Sequence, residues 1–106
     1  MDVQIKKGLL DICVLAVIEH SDSYGYQIIR DVSSCVAISE STLYPILKRL
    51  DVGGCLTTYS IEHNGRLRKY YRITPLGRAR VNSFFEEWEE MKRIHDFIIR
   101  EGTPNE

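Results

Sequence analysis

The sequence predicts a mainly α-helical chain that carries one small β-hairpin, an α+β fold. Apolar residues recur at helical spacing over most of the 106 residues. Only "CLTTYSIEHNGRLRKYYRIT" alternates like strands, and it is divided by Asn64-Gly65, the dipeptide that best tolerates the positive φ angles of a type I′ turn. An isolated hairpin is marginal in water, so we expect this one to pack on the helices.

The first helix is predicted from about Ile5 to His20. Its run "GLLDICVLAVI" leaves almost no polar face, so the helix should be buried nearly all round. One small domain rarely surrounds a helix completely, which points to a partner subunit. The run is interrupted by Asp11, is shorter than the roughly 20 apolar residues of a membrane span, and precedes no cleavage site. We therefore expect a cytoplasmic protein with no membrane partner.

A second, amphipathic helix should follow in "SDSYGYQIIRDVSS". Ser21 or Ser23 can cap its start. Tyr26, Ile29 and Val32 recur at helical spacing and should form its apolar stripe.

The third helix has a polar face suited to binding. Ser39, or alternatively Ser41, can cap it, Gly53 and Gly54 can end it, and Pro45 would lie in or just past its first turn, where a missing N–H costs least. The predicted core stripe is Leu43, Ile46, Leu47 and Leu50. The opposite face carries Ser41, Thr42, Tyr44, Lys48 and Arg49. Three short helices with such a face on the third predict a helix-turn-helix.

The hairpin completes a winged helix-turn-helix. Along its second strand, the alternation places Lys69, Tyr71 and Ile73 on one face and Arg68, Tyr70 and Arg72 on the other. We expect residues 1–74 to form a DNA-binding domain of this kind.

A long last helix is predicted from Thr74-Pro75, an N-cap and a first-position proline, to about Arg100, before Gly102 and Pro104. Its apolar residues follow the a/d spacing of a coiled-coil seam: Val81, Phe84, Trp88, Met91, His95 and Ile98. The stripe is widened, beyond what one helix can bury, by Phe85, Ile94 and Ile99. We expect residues 75–106 to be a dimerisation helix and tail.

The charge distribution and the reactive residue types restrict the possible functions of the chain. The net charge is −1, yet basic residues outnumber acidic ones six to three between Ser39 and Arg72, and acidic ones outnumber basic ones seven to three from Asn82 onward. A basic middle and an acidic tail suggest two roles in one chain. The three cysteines and three histidines lack disulfide or ligand spacing, and no nucleophile and base converge, so we expect no metal, no cofactor and no enzymatic activity.

The chain resembles the PadR-type transcriptional regulators over nearly its whole length. The resemblance rests on "GLLDICVLAVI", "SYGYQI", "ISESTLYPILKRL", "NGRLRKYYRIT" and "TPLGR", taken in this order and spacing. The chain is similar to the shorter members of this family, which dimerise through a single terminal helix. The resemblance implies a homodimeric winged helix-turn-helix repressor that binds an inverted-repeat operator and is released by a small effector. Leu67 departs from the family pattern, because family wings usually continue the basic run there.

Double-stranded DNA is therefore the expected partner. The amino end of the third helix should reach base edges in the major groove, while either Lys48 or Arg49 pairs with phosphates. The wing can enter the minor groove or follow the phosphates. The residues assigned to DNA are Tyr24, Ser39, Ser41, Thr42, Tyr44, Lys48, Arg49, Asn64, Gly65, Arg66, Arg68 and Lys69. The main alternative is a winged helix that binds another protein, which salt dependence would distinguish.

A second set of residues is assigned to dimer contact or effector binding. The indole of Trp88 lies mid-stripe and can either be dimer core or face a slot for a flat aromatic ligand between subunits. The full set is Leu10, Val14, Val17, Phe84, Phe85, Trp88, Met91, His95 and Ile98. Protonation of His95 could loosen such a seam, although a histidine there more often simply finds a partner.

Overall fold

The computed structural model describes residues 3–102 as three helices, a hairpin and a long last helix, which is a winged helix-turn-helix with a carboxy-terminal extension. The elements are α1 (Val3–His20), β1 (Ser23–Tyr24), α2 (Gly25–Ser33), α3 (Glu40–Val52), β2 (Leu56–His63), β3 (Arg66–Ile73) and α4 (Pro75–Gly102). In this part of the chain no helix is long and apolar enough to cross a membrane.

The sheet has three antiparallel strands in the order β1-β3-β2, one more than the sequence predicts. The extra strand is short, with Ser23 opposite Tyr71 and Tyr24 opposite Tyr70. This pairing keeps the backbone extended up to Tyr24, which becomes the N-cap of α2 without a side-chain capping bond. The predicted caps Ser21 and Ser23 are therefore wrong, because Ser23 belongs to the sheet.

The buried face of α2 is also displaced from the predicted one. Gly25, Ile28 and Val32 are buried, whereas Tyr26 is 63% exposed and Ile29 is only partly covered. The helix begins at the edge of the sheet, so its rotation is set by β1 and not by its own apolar spacing alone.

Most of the prediction for α3 is confirmed, although the Ser39 side chain makes no capping bond and Pro45 lies inside the helix, in its second turn. Ser39 is its N-cap, Gly53 its C-cap, and Leu43, Ile46, Leu47 and Leu50 are its buried residues. Gly54 follows with φ +78°, the left-handed conformation that glycine adopts without strain at a helix end.

The hairpin also forms as predicted. Asn64 and Gly65 have φ angles of 52° and 78°, the two positive values that a type I′ turn requires. The strands pair from Leu56 opposite Ile73 to His63 opposite Arg66, and the inward face carries the buried side chains of Tyr71 and Ile73.

One core joins every helix to the sheet. Its fully buried large side chains are Val14, Leu15 and Ile18 of α1, Ile28 of α2, Leu43, Leu47 and Leu50 of α3, Leu56 of β2 and Val81 of α4. Burial of each such side chain stabilises the fold by about 1.5–3 kcal/mol before entropy is counted.

The last helix leaves this core after its second turn. The side chain of Thr74 caps it, accepting the N–H of Gly77 at 3.1 Å. From Phe85 to Gly102 every residue is exposed. The radius of gyration is therefore 17.2 Å, against about 13 Å for a compact domain of this length. Pro104, predicted to help end the helix, lies outside the described residues.

Candidate nucleic-acid interface

Three hydroxyls cluster at the amino end of α3. The Oγ of Ser39 lies 2.9 Å from the Oγ of Ser41 and 3.3 Å from the Oγ1 of Thr42, and all three side chains are exposed. Because the Ser39 hydroxyl is engaged here, it makes no side-chain cap; its carbonyl instead accepts the N–H groups of Thr42 and Leu43 at 3.1 and 2.9 Å. The cluster presents donors and acceptors at a helix end, where a phosphate or base edge is readily bound.

Tyr44 lies one turn further along α3, against the start of α2. It is 47% exposed, and its ring covers Gly25 so closely that a Cβ at that glycine would overlap the Tyr44 hydroxyl. Gly25 thus makes room for this tyrosine.

Cations from α3 and the wing meet at one cleft of about 330 Å³. Lys48 of α3 and Lys69 of β3 line it together with Tyr44, and one acidic residue, Asp51, lines it as well. Within residues 3–102 Lys48 forms no ion pair. Two amines that face one cleft can attract successive phosphates.

Arg49, the other cation assigned to phosphates, is engaged inside the chain. Its Nη2 donates to the Oδ1 of Asp11 on α1 at 2.7 Å, while the Nη2 of Arg80 on α4 donates to Oδ2 at 3.1 Å. Asp11 is only 5% exposed, so its charge requires such partners. In the sequence, the only sign of this cluster was Asp11, a single acidic residue inside an apolar helix. Its partners Arg49 and Arg80 could be identified only from the fold.

The outer face of the sheet carries a row of stacked rings and guanidinium groups. Tyr59 and Tyr70 stack at 5.5 Å with an interplanar angle of 11°, and Tyr24 meets Tyr70 edge-on at 5.5 Å. The guanidinium of Arg68 lies 4.1 Å from the Tyr24 ring centre, and that of Arg72 lies 4.8 Å from the Tyr59 centre. Tyr24 and Arg68, both assigned to DNA, are half-buried in this row.

Asp22 anchors one end of this row. Its Oδ2 accepts the Tyr59 hydroxyl at 2.7 Å and the Arg72 Nε at 3.0 Å. The hydrogen bond from Tyr59, with the hydrogen bond and charge of Arg72, holds the pKa of this carboxyl below its usual value, although partial burial opposes the shift. The same hydrogen bond to Asp22 raises the pKa of Tyr59. The sequence did not identify Asp22, because its partners lie 37 and 50 positions away.

The remaining wing residues assigned to DNA lie at the turn. Asn64, Gly65 and Arg66 are exposed at its tip, beside a Leu67 that is 77% exposed. Among the residues that the structure describes, Arg66 forms no ion pair, so its guanidinium is available at the tip, while that of Arg68 is held against Tyr24.

The exposed part of α4 presents most of the predicted seam. Trp88, Met91 and Ile98 are 52%, 55% and 60% exposed, and Phe85 and His95 are exposed beside them. Val81, in contrast, is buried in the core, and Phe84 is partly covered. Phe97, which the sequence prediction omitted, is 54% exposed, so the apolar surface extends around more of the helix.

The three α1 residues assigned to the dimer or effector set lie in or against the core of the chain itself. Val14 is fully buried, Leu10 is 7% exposed and Val17 packs on the core at its edge. The reason is that α1 packs against α2, α3, α4 and β3 within one chain.

The three cysteine thiols differ in exposure, since Cys55 is buried, Cys13 is half-buried and Cys35 is exposed.

Comparisons with known proteins agree with this architecture. Residues 14–83 match the Transcriptional regulator PadR-like family. The structure of smu.1704 from Streptococcus mutans UA159 is 39% identical, with 94% of each chain covered and a TM-score of 0.78. A PadR-like transcription factor from Bacteroides fragilis is 29% identical over 90% of this chain and 94% of its own, with a TM-score of 0.81.

A third structure, Bacillus subtilis PadR in complex with operator DNA, is similar in fold alone. It is 21% identical, with 73% of this chain and 46% of that chain covered, and its TM-score is 0.68. The family match spans most of the chain and includes α2, α3 and the wing. The chain therefore belongs to the PadR-like family of transcriptional regulators.

Proposed function

We propose that this regulator binds operator DNA through α3 and the wing, and that it represses transcription. The observation that carries the proposal is the shared cleft, where Lys48 of α3 and Lys69 of β3 lie beside Tyr44. An α-helix fits the major groove with its amino end at the bases, so cations beside it are placed to hold the backbone. The Bacillus subtilis PadR complex with operator DNA supports the proposal through its likeness of fold.

Within this interface the residues divide by their surroundings. The exposed hydroxyls of Ser41 and Thr42, with Tyr44, take the base edges and the nearest phosphates, and Ser39 orients them. Lys48 takes the phosphate role, because Arg49 is held by Asp11. At the wing, Arg66 reaches the groove from the Asn64-Gly65 turn, while Tyr24 and Arg68 hold the wing in place beside Lys69.

We further propose a homodimer that assembles along α4. Seven large apolar side chains between Phe85 and Ile99 are each more than half exposed, and so much exposed apolar surface on one helix is typical of an interface. They are Phe85, Trp88, Met91, Ile94, Phe97, Ile98 and Ile99. Two recognition helices held about one DNA turn apart, roughly 34 Å, would match the half-sites of an inverted repeat.

A small aromatic effector is proposed to bind beside Trp88. This side chain shares a depression of α4 with Met91 and His95, and an indole that is 52% exposed can stack on a flat ring. Quenching of Trp88 fluorescence by candidate aromatic compounds tests this, with calorimetry on Trp88→Phe as the control. A heat of binding that is unchanged in that variant contradicts a site at Trp88.

The experiment for DNA binding is a fluorescence anisotropy titration with the DNA upstream of the protein's own gene, repeated across salt concentrations. We expect submicromolar affinity, with log K falling by roughly 0.9 per log unit of salt for each neutralised phosphate. Lys48→Ala should weaken specific and nonspecific DNA alike and lower this slope by about one. Thr42→Ala should weaken binding to the operator and leave binding to nonspecific DNA unchanged.

Binding that is absent or insensitive to salt refutes the DNA proposal. A protein partner for the same basic surface would then be the next candidate to examine.

A further inference from the structure

The buried carboxylate of Asp11 joins two helices that carry different parts of the regulator. Asp11 belongs to α1, and its two oxygens accept one guanidinium from α3 and one from α4, at 2.7 and 3.1 Å. Its side chain is 6% exposed, while those of Arg49 and Arg80 are 47% and 41% exposed. The acid is thus fixed in the interior, and both cations reach it from the surface.

This arrangement constrains orientation more than simple packing would. A buried charge that loses a partner is strongly unfavourable, so both arginines are held to a carboxylate whose own helix is embedded in the core. Hydrogen bonds between charged groups are short and directional, which fixes the geometry of each helix relative to α1. A movement of either arginine must therefore alter the bonding of the other oxygen.

Arg49 lies on the face of α3 that continues to the hydroxyl cluster. It follows Thr42 by seven positions, two turns on the same side of the helix. Thr42, Ser41 and Arg49 line one groove with Leu10, the residue next to Asp11. A displacement of Arg49 would thus rotate the end of α3 that we assign to base edges.

Arg80 lies on α4, close to where that helix leaves the core. Residues from Phe85 onward are exposed, so the proposed dimer and effector surface begins within two turns of Arg80. A change in that surface would reach Arg80 through a continuous helix.

We propose that Asp11 is a positioning residue that couples α4 to the recognition helix α3 through Arg80 and Arg49. The carboxylate holds α3 at the angle that reads the operator, and a shift of α4 loosens this hold. The inference rests on the proposed DNA binding. It states that Asp11, Arg49 and Arg80 transmit a change at the exposed surface of α4 to the DNA-binding end of α3.

The test compares two substitutions on α4. Arg80→Met keeps the aliphatic stem but removes the link to Asp11. Arg78→Met is the matched control, because Arg78 also pairs with α1, through Glu19 at 3.7 Å, but does not connect to α3. At 25 °C, with both variants shown to be folded by circular dichroism, we expect operator affinity to fall at least fivefold for Arg80→Met and less than twofold for Arg78→Met.

Two further measurements separate positioning from mere stability. Arg80→Lys should recover part of the affinity, because an ammonium can still pair with the carboxylate. Backbone amide shifts of residues 41–47, measured by NMR without DNA, should change in Arg80→Met but not in Arg78→Met.

Equal operator affinities for the two methionine variants, or unchanged α3 amides in Arg80→Met, would overturn the proposal. If the unaltered protein fails to bind DNA, the proposed function fails, while the amide shifts still decide whether Asp11 couples the helices.

Discussion

Replacing Gly25 with alanine should weaken operator binding without unfolding the chain. The new Cβ would overlap the Tyr44 hydroxyl and lie 3.1 Å from its Cζ. These atoms are the far end of a flexible side chain, so the tyrosine can swing away while both backbones stay in place. The perturbation therefore falls on one side chain of the proposed DNA surface.

The expected effect of Gly25→Ala on stability is smaller than its expected effect on operator binding. Alanine is favoured over glycine in a helix by up to about 1 kcal/mol, which offsets the cost of moving the ring. We expect the free energy of unfolding to change by less than about 1 kcal/mol, or a few degrees in Tm. Losing the Tyr44 contact with DNA should cost about 1–2 kcal/mol, roughly a 5- to 30-fold loss of operator affinity.

The assay is a double-mutant cycle in anisotropy titrations, with urea denaturation run in parallel. Tyr44→Phe removes the hydroxyl that the alanine would meet, so Gly25→Ala should cost much less in that background than in the unaltered protein. Additive losses, or wild-type affinity for Gly25→Ala alone, would show that Gly25 does not position Tyr44 for DNA.

Gly77→Ala should behave differently, because its Cβ would overlap the carbonyl oxygen of Cys55, a backbone atom that cannot swing aside. We expect a loss of about 2 kcal/mol or more in urea denaturation, and a loss below about 1 kcal/mol would contradict the contact. Asp22, whose pKa is lowered by its hydrogen bonds from Tyr59 and Arg72, should stabilise the fold above the unfolded pKa of about 3.9, and this stability should disappear as pH falls through the lower folded pKa. Asp22→Asn should remove that part of the acid dependence, measured by urea denaturation between about pH 2 and 6, and an unchanged profile would refute the assignment. Met91→Asp, which places a charge on the exposed seam, should yield monomers in sedimentation, whereas Glu86→Lys, whose neighbours three and four positions away on α4 are all polar, should not; a dimeric Met91→Asp would exclude this seam.

Sequence patterns were sufficient where the controlling interaction is local. The turn at Asn64-Gly65 forms as predicted because few residue pairs accept two positive φ angles. The end of α3 at Gly53 depends on groups within one turn of the helix, and so does the capping bond from the Gly77 N–H to Thr74, although the Thr74 hydroxyl also donates to the carbonyl of Gly54, 20 positions away. The buried stripe of α3 followed from spacing, since one face of that helix is strongly apolar.

Sequence patterns failed where a distant segment decides. Ser23 has the chemistry of a helix cap, yet it pairs with β3 because Tyr71 lies opposite it, 48 positions later. That pairing also set the rotation of α2 and left Tyr26 exposed. For the candidate interface, the sequence selected residue types and their helix face, but it could not separate Lys48 from Arg49.

What the sequence determined by itself was the order of the helices and of the two hairpin strands, the hairpin turn and the polar face of α3, because backbone preference and apolar period act over a few residues. Only the tertiary structure decided which polar groups remain available to a ligand. A buried carboxylate 38 positions away engages Arg49, and the ring of Tyr24 engages Arg68. Such partners are chosen by packing across the fold, since a charge or ring is held by whatever group the core brings next to it.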